Sequence, residues 1–356
     1  MVDGERWLAG IDLVLERGLN VLAGPTLAGK TTLMRIAAGL EPPSAGEIVV
    51  DGDDVTGRSV RERDVAFVYQ EFVNYPSMTV FDNIAAPLRR RERRTKDEVR
   101  DRVHEVAELL ALSPYLDRRP DELSGGQQQR VAIARALARE TRLLLLDEPL
   151  ANLDYKLREE LRGELDRIFR SRDSVVIYAT SEPVEALTLG GWTVVLDEGR
   201  VLQTGAAVDA YHRPASSEVA RVFSDPPMNL VDVEVRHGSL VLPDGVEIPC
   251  PAHFAGIGDG DITIGLRPHL VSLSDPDGDA LQVGGELLLA ELTGSATYLH
   301  VRSGSDGSII AEVSGVHSHP VGEHLHLYIR PAALYAFDRP SGSLLASPDL
   351  EVAARG

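Results

Sequence analysis

A glycine-rich stretch near the start of the chain carries residue types suited to binding the phosphates of a nucleotide. Residues 24–32 read GPTLAGKTT and satisfy the pattern G-x-x-x-x-G-K-[ST]. In that pattern backbone N–H groups surround the phosphate oxygens, the lysine contacts the terminal phosphates and the hydroxyl binds Mg²⁺. The alternative is a glycine-rich turn that caps an ordinary helix. The predicted ATP-binding residues of this loop are Gly24, Pro25, Thr26, Leu27, Ala28, Gly29, Lys30, Thr31 and Thr32.

Two further stretches carry groups that suit phosphate chemistry. The apolar run at residues 143–146 is followed by Asp147 and Glu148, which places both acids at the end of a predicted strand. There Asp147 suits an indirect hold on Mg²⁺, and Glu148 suits orienting or deprotonating the attacking water. Residues 123–130, LSGGQQQR, are able to present N–H groups and a hydroxyl to phosphate at a helix start. On its own, that stretch can also be an ordinary helix start with Ser124 as the cap and the glycines as loop.

The elements that must position these groups follow from the apolar pattern. From residue 19 to about residue 202, apolar runs alternate with longer helical patterns, which favours an α/β domain with a largely parallel sheet. Residues 19–23 predict a buried strand, and residues 31–38 predict a helix whose N-terminus faces the anion. The other predicted strands cover residues 47–50, 65–68, 143–146, 175–179 and 193–196.

Two changes in the sequence pattern divide the rest of the chain. Between residues 79 and 139 charged helical sequence replaces the strand pattern, which predicts an inserted helical subdomain. After about residue 228, short valine- and leucine-rich runs are separated by Asp-Gly and Gly-Ser turns, which predicts a small β-barrel domain. The predicted boundaries are residues 1–212 for a nucleotide-binding α/β domain, 213–228 for a connector and 229–356 for the β domain.

The composition restricts the class of protein. The formal net charge of −19 disfavours nonspecific binding to nucleic acid or to an anionic membrane surface, because both carry the same sign. No apolar stretch approaches the roughly 20 residues needed to cross a bilayer, and the first residues, MVDGERW, do not read as an export signal. The single cysteine, Cys250, agrees with a reducing compartment. These features favour a cytoplasmic address and no nucleic acid partner.

In this order and at these separations, the stretches resemble the ATP-hydrolysing subunit of ABC transporters, and LSGGQ is the most specific element. The resemblance covers essentially the whole chain and implies a P-loop NTPase fold. It also implies a head-to-tail dimer, in which ATP and Mg²⁺ lie between the phosphate loop of one chain and LSGGQ of the other. The signature residues expected to act on the partner's ATP are Ser124, Gly125, Gly126 and Gln127.

The same resemblance assigns roles to other positions. Gln70 in VYQEF matches the loop that senses Mg²⁺ and the membrane subunits, and Asp154 in ANLD matches the loop that crosses the dimer interface. The expected Mg²⁺ residues are then Thr31, Gln70 and Asp147, with Glu148 and Gln70 in catalysis. Residues 71–88 look like the surface that docks the coupling helices of the membrane subunits.

The end of the chain narrows the family. Residues 265–271 (GLRPHLV), 291–301 (ELTGSATYLHV) and 327–342 (LYIRPAALYAFDRPSG) are similar to the regulatory OB-like (TOBE-type) domain of ATPases from maltose-type sugar importers. Fold analogy of this kind favours uptake of sugars, polyols, glycerol or glycerol phosphate over drug export. The phrases GPTLAGKTTLMR and NYPSMTVFDNIAAPLR look nearest to the branch that serves glycerol-like or polyol substrates, often encoded beside a second ATPase.

The resemblance also implies a set of partners and a location. Two membrane permease subunits are expected, with a solute-binding protein outside the cytoplasm that acts through them. The second ATPase subunit is a different chain or a second copy of this one. The expected location is peripheral, on the cytoplasmic face of the cell membrane.

Two departures from the family pattern lie close to the phosphates. Near position 27 the family usually has glycine or another small residue, whereas Leu27 adds bulk and removes a site of easy positive φ. In the switch segment, VVIYATSEP, Ser181 stands where a histidine normally follows the threonine. Serine is shorter and neutral, so it reaches the terminal phosphate only through a bridging water. Ser181 is therefore a weakened catalytic residue or merely the cap of a helix that begins near Glu182.

The third departure lies at the start of the chain. Residues 7–18 match the strand just before the phosphate loop, so the upstream strand that usually carries an adenine-stacking aromatic residue is missing. Either the start codon is placed too late or the protein does without that strand. We expect Trp7 to stack on the adenine, and packing in the core is the competing interpretation.

An altered switch beside intact Lys30, Asp147, Glu148 and LSGGQ favours a heterodimer, in which this chain's own site binds ATP and hydrolyses it poorly. Two other functions stay open: an ATP-binding regulatory subunit with negligible turnover, and a soluble ABC-type ATPase of DNA repair or translation. The latter commonly carry long coiled coils or two nucleotide domains. Four histidines in VHSHPVGEHLHLYIR make a metal site conceivable, namely His317, His319, His324 and His326.

Overall fold

The computed structural model describes residues 7–348 except 72, 92–93, 152, 172, 244, 276–277, 279 and 304–306. The chain divides into two compact units, Met1–Ala207 and Val208–Gly356. Within the described residues, none of the helices combines the length and the apolar character that a membrane span requires.

The first unit is built on a six-stranded sheet. Its strands, with those of a separate pair, are β1 Gly18–Ala23, β2 Val49–Val50, β3 Asp53–Asp54, β4 Val65–Val68, β5 Leu143–Asp147, β6 Val175–Thr180, β7 Trp192–Asp197 and β8 Arg200–Ala206. The sheet has the order β4-β5-β6-β1-β7-β8. The neighbours from β4 to β7 pair in parallel, and β7 and β8 pair antiparallel. The prediction of a largely parallel sheet is therefore confirmed.

For one strand, both the predicted bounds and the predicted sheet are wrong. Residues 47–50 were expected to lie in the main sheet, but Val49–Val50 pairs with Asp53–Asp54 in a separate two-stranded hairpin. The connecting residues Asp51 and Gly52 have φ of 51° and 85°. An Asp-Gly pair with two positive φ angles is the turn that closes a two-residue hairpin, so the local turn determines where this strand goes.

The helices of the first unit bring the loop regions to one end of the sheet. They are α1 Lys30–Ala38, α2 Val80–Arg91, α3 Lys96–Leu109, α4 Gly125–Ala138, α5 Tyr155–Ser171 and α6 Pro183–Leu189. Met34 and Ala38 of α1 are fully buried against a core that includes Leu145 and Ile177 of the sheet. The region predicted to be helical, residues 79–139, contains α2, α3 and α4, which pack on one another.

The second unit is mostly β, as predicted. Helices α7 Ala207–His212 and α8 Ser217–Val222 precede its strands, and α8 lies inside the predicted connector. The strands are β9 Asn229–Arg236, β10 Ser239–Val241, β11 Glu247–Pro249, β12 Gly260–Leu266, β13 Val271–Ser272, β14 Leu281–Leu292, β15 Ala296–Ser303, β16 Gly307–Ser314, β17 His324–Ile329, β18 Tyr335–Asp338 and β19 Leu344–Ala346. They form two sheets, β11-β10-β9-β12-β18-β19 and β13-β17-β14-β15-β16, which share one apolar core.

The histidines of the second unit do not form a metal site in the described part of the chain, which contains no group of three or more His, Cys, Asp or Glu able to hold a metal ion. His319 Nδ1 lies 3.0 Å from Glu323 Oε2, and His326 Nδ1 lies 2.8 Å from Gln282 Nε2. The rings of His324 and His326 lie 6.2 Å apart, but no third ligand joins them among the described residues, so these residues do not support the conceivable metal site.

Candidate nucleotide-binding site

The phosphate loop connects the end of β1 to the start of α1. The Gly24 N–H donates to the Thr180 carbonyl at 3.2 Å, and a Cβ at Gly24 would lie 2.0 Å from the Leu196 oxygen. Gly29 has φ of 100° and stands at the N-cap of α1 without a side-chain cap. The first N–H groups of a helix need partners from outside the helix. With glycine at the cap, they are open to an anion, and the helix dipole favours one there.

The side chain of Lys30 turns back onto the phosphate loop. Its Nζ donates to the carbonyls of Gly24 at 2.7 Å and Pro25 at 2.9 Å, and it lies 3.5 Å from Glu148 Oε1. The residue is 5% exposed, and burial lowers the pKa of its ammonium group, an effect that Glu148 partly opposes. A phosphate would therefore meet a desolvated cation whose present anionic neighbour is the carboxylate of Glu148.

Thr31 and Asp147 offer two oxygen ligands beside the lysine. The Thr31 hydroxyl donates to Asp147 Oδ2 at 2.8 Å, and Asp147 is 3% exposed at the end of β5. Burial raises the pKa of Asp147, and the Thr31 hydrogen bond opposes that rise. Mg²⁺ prefers hydroxyl, carboxylate and phosphate oxygens, so the Thr31 hydroxyl and the buried Asp147 carboxylate fit the metal. When bound, Mg²⁺ supplies neutralisation of charge on the phosphates.

Glu148 stands between Lys30 and Gln70. Gln70, just beyond β4, donates from Nε2 to Glu148 Oε2 at 3.2 Å, and the Glu148 N–H donates to the Ala179 carbonyl at 3.1 Å. The backbone of Glu148 has φ of 44°, a left-handed conformation that strains a residue with a side chain and is enriched at functional sites. Four positions predicted from separate stretches, Lys30, Gln70, Asp147 and Glu148, thus lie together.

The LSGGQ stretch forms the start of α4. The Ser124 hydroxyl accepts from the Gln127 N–H at 3.4 Å, and Gln127 Oε1 accepts from the Ser124 N–H at 3.0 Å. Ser124 is therefore a helix cap, while Gly125 and Gly126 lie in the first turn and not in a preceding loop. A Cβ at Gly126 would lie 2.6 Å from Leu157 Cδ2, whereas one at Gly125 would meet nothing within 4 Å. A side chain at position 126 would therefore clash with Leu157, which explains the glycine there. At position 125 there is room for a side chain, and the glycine leaves the backbone of the first turn uncovered.

Comparison with known proteins matches three family models along the chain. Family models match as ABC transporter over residues 8–151, as MalK OB fold domain over residues 225–269 and as TOBE domain over residues 264–337. The chain is 41% identical over 336 residues to the sn-glycerol-3-phosphate import ATP-binding protein UgpC of Yersinia pestis bv. Antiqua (strain Antiqua), covering 93% of this chain and 92% of that protein. This chain belongs to the ABC transporter ATP-binding family.

Further relatives and solved structures agree with that assignment. The UgpC protein of Chromohalobacter salexigens is 39% identical over 94% of this chain and 91% of its own length. The dimeric, post-hydrolysis structure of the ATP-binding cassette MJ0796 bound to ADP and Pi has a TM-score of 0.51 and 29% identity, and covers 56% of this chain and 90% of that chain. The predicted ABC ATPase fold, the OB-like domain and ATP hydrolase activity are confirmed.

Ser181, which the sequence predicts to be the altered switch position, follows the end of β6. The N-cap of α6 is Glu182, which makes no side-chain cap bond, and the Glu182 N–H donates to the Thr180 hydroxyl at 3.0 Å. The interpretation of Ser181 as the helix cap is therefore wrong, because α6 begins one residue later and the preceding threonine takes the N–H group.

Sequence reasoning missed a buried carboxyl behind the switch. Glu185 in α6 is 5% exposed and accepts hydrogen bonds from Tyr178, at 2.6 Å, and from the Thr180 hydroxyl. Burial raises the pKa of Glu185, and these two hydrogen bonds oppose the rise. The carboxyl thereby fixes the side chain of the residue before Ser181. An acid in the otherwise apolar first turn of α6 was the signal available in the sequence.

Leu27 occupies the backbone conformation that glycine adopts at no cost. Its φ is 70°, and its side chain is 79% exposed. A left-handed conformation costs a residue with a Cβ about 1–2 kcal/mol. The loop therefore keeps the shape expected of a glycine at this position, at the expense of local strain.

Trp7 lies beside the phosphate loop. A Cβ at Gly199 would lie 2.1 Å from the Trp7 carbonyl oxygen, and one at Gly29 would lie 3.4 Å from it. Trp7 is 39% exposed, so the interpretation as a packed core residue is wrong. Stacking on adenine stays a prediction, which the position next to the loop makes feasible.

The Trp7→Ala substitution is expected to raise the dissociation constant for ATP about tenfold, because stacking of a base on an aromatic side chain is worth about 1–3 kcal/mol. Calorimetric titration of the purified chain with MgATP measures it. The only other tryptophan, Trp192, is 48% exposed and serves as the control in Trp192→Ala. Equal affinities in the two variants would refute the stacking role.

Proposed function

We propose that this chain is the ATP-binding and ATP-hydrolysing subunit of a membrane ABC importer that takes up a sugar, polyol, glycerol or glycerol-phosphate solute. The observation that carries the proposal is the cluster in which buried Lys30 and Asp147 contact Glu148 and Thr31 just beyond the ends of β1 and β5. The names of the relatives, matched over more than nine tenths of this chain, support import over a regulatory or soluble ATPase role.

The cluster supports a division of labour within the site. Lys30 and the amides of the loop bind the phosphates, while Thr31 and Asp147 hold Mg²⁺. Gln70 orients Glu148, which accepts the proton of the attacking water. Residues 124–127 and Asp154 act across a dimer interface. The dimeric state of MJ0796 supports such an arrangement.

A cavity of about 740 Å³ supports the docking of a permease coupling helix on the first unit. Tyr75 and Met78, which line it, are exposed, although residue 72 of the predicted surface lies outside the described residues. The buried amide of Asn83 donates to the carbonyls of Tyr75, Met78 and Thr79 and accepts from the Tyr75 N–H. Arg135 lies 4.8 Å from the Tyr75 ring. This loop is therefore fixed in shape before a partner binds, which favours rigid docking.

The docking partners are two permease subunits, reached on the cytoplasmic side of the membrane, with a solute-binding protein outside. For the second ATPase subunit we favour a different chain over a second copy. Ser181 and Leu27 weaken this chain's own site, whereas its signature residues are intact and serve the site of the partner.

The assembled importer tests the proposal. We expect solute and binding protein to stimulate ATP hydrolysis by this chain, its partner ATPase and the permeases reconstituted together. The chain alone should hydrolyse ATP slowly, and Ser181→His should raise that rate at least tenfold, because a positioned acid–base group contributes about 10²–10⁴-fold.

The control variant for this experiment is Ser181→Ala, which shortens the side chain without adding an imidazole. A fast homodimer of the wild-type chain would refute the heterodimer. If none of the four solute classes changed the rate of ATP hydrolysis by the assembled importer, the proposed transport function would be refuted.

A further inference from the structure

An ion pair joins α5 to the residue after the switch position. Arg158 Nη1 lies 2.8 Å from both Oε1 and Oε2 of Glu182. The two side chains are 21% and 46% exposed, so the guanidinium is largely withdrawn from water. Attraction between partly buried charges is screened less by solvent and salt than that between exposed charges.

The same guanidinium contacts the loop that precedes α5. Here the interface loop denotes residues 151 and 153–154. Arg158 Nη2 lies 3.5 Å from the Ala151 carbonyl and 3.4 Å from the Leu153 carbonyl. Asp154 Oδ1 accepts from the Leu157 N–H at 3.0 Å, which caps α5. One side chain therefore bridges the interface loop and the carboxylate of Glu182, and Asp154 ties that loop to the helix carrying Arg158.

From Glu182 the connection continues to the reacting groups. The Thr180 hydroxyl accepts from the Glu182 N–H, and the Thr180 carbonyl accepts from the Gly24 N–H of the phosphate loop. The neighbouring Ala179 carbonyl accepts from the Glu148 N–H. In the chain, Ser181 lies between Glu182 and Thr180, whose hydroxyl and carbonyl are both hydrogen-bonded. The Arg158–Glu182 ion pair therefore links the interface loop to the segment that carries Ser181.

We propose that Arg158 and Glu182 are positioning residues that couple the interface loop to Ser181. Contact of the interface loop with the second ATPase subunit then sets the switch segment for hydrolysis at this chain's own site. Among the described residues, neither side chain has a hydrogen bond or ion pair with Lys30, Asp147 or Glu148. The proposal rests on the proposed function, because it takes the interface loop, residues 151 and 153–154, to lie at a dimer interface.

The test uses the assembled importer and compares two Glu→Gln substitutions, each of which removes a charge and keeps the shape of the side chain. With the second ATPase subunit made catalytically inactive, so that turnover reports this chain's own site, Glu182→Gln should lower kcat about tenfold and leave the KM for ATP within twofold, a size typical of coupling residues. Glu159→Gln is the matched control. Its carboxylate pairs with Arg162 of the same helix at 2.7 Å and is 42% exposed, but it has no described contact with the switch segment. Glu182→Asp, which keeps the charge, should retain at least half of the wild-type kcat.

A double-mutant cycle separates coupling from general damage. If the two residues act through each other, Arg158→Gln combined with Glu182→Gln should lower kcat no further than the worse single variant. Additive losses would overturn the proposal, as would equal kcat values for Glu182→Gln and Glu159→Gln.

Hydrogen exchange gives a readout that does not need turnover. In Glu182→Gln the backbone amides of the interface loop and of Ser181 should both exchange faster than in the wild-type protein, with no such change in Glu159→Gln. Faster exchange at only one of the two places would overturn the coupling. An importer without ATP turnover would refute the proposed function, and the exchange result would still decide the coupling.

Discussion

Replacing Lys30 with alanine is expected to raise the dissociation constant for MgATP at this chain's own site by at least about 100-fold. Charge-assisted hydrogen bonds of the kind an ammonium group makes with phosphate are worth about 1.5–3 kcal/mol each. The substitution also leaves the carboxylate of Glu148, now 3.5 Å from Nζ, beside the phosphates without that countercharge. Calorimetric titration measures the loss.

The pH dependence of binding gives a second signature of Lys30. Burial lowers the pKa of its ammonium group, and the charged form is the one that attracts phosphate. Wild-type affinity should therefore fall as the pH rises through that lowered pKa, and Lys30→Ala should lack this decrease. Lys96 is exposed at the start of α3, so Lys96→Ala is the control. Retention of wild-type affinity by Lys30→Ala would contradict the assignment of the phosphate loop.

The Gly24→Ala substitution is expected to lower the free energy of unfolding of the first unit by about 3 kcal/mol, at the upper end for overpacking, and to abolish ATP binding. The new Cβ would lie 2.0 Å from the Leu196 oxygen and 3.1 Å from the Leu196 carbonyl carbon. Those are backbone atoms of β7, held by pairing with β1 and β8. The loop must therefore move away from the sheet.

Urea unfolding followed by tryptophan fluorescence measures this effect, because the two tryptophans of the chain, Trp7 and Trp192, both belong to the first unit. Gly57→Ala is the matched control, since a Cβ at Gly57 meets nothing within 4 Å. It should change the free energy of unfolding by less than about 0.5 kcal/mol. If Gly24→Ala were as stable as Gly57→Ala, the packing of the loop on β7 would be wrong.

The phosphate loop and the strand β4, Val65–Val68, were predictable because their signals are local: glycine spacing in the first case and a short apolar run in the second. The pairing of Arg158 with Glu182 was not, since it joins residues 24 positions apart. Tyr178 and Glu185 were missed for a related reason. The role of Tyr178 and Glu185 depends on their burial on one side of β6. Hydrophobic periodicity in the sequence does not show which polar residues a core encloses.

The two alternatives that failed have simple physical causes. Ser181 is not the cap of α6 because the Thr180 hydroxyl already takes the Glu182 N–H, a choice that the sequence TSEP leaves open. Trp7 is not in the core: it is 39% exposed, and the part of it that lies close to Gly199 and Gly29 is its backbone carbonyl. Both outcomes depend on where one backbone segment lies against another, which composition and spacing do not specify.

The contact between Lys30 and Glu148 bears on the order of events in the proposed cycle. The ammonium group lies 3.5 Å from the carboxylate, so the proposed base faces a cation of its own chain. A phosphate bound to Lys30 would compete with that carboxylate for the ammonium group. In the proposed mechanism, binding of the nucleotide would therefore come before, and promote, the action of Glu148 on water.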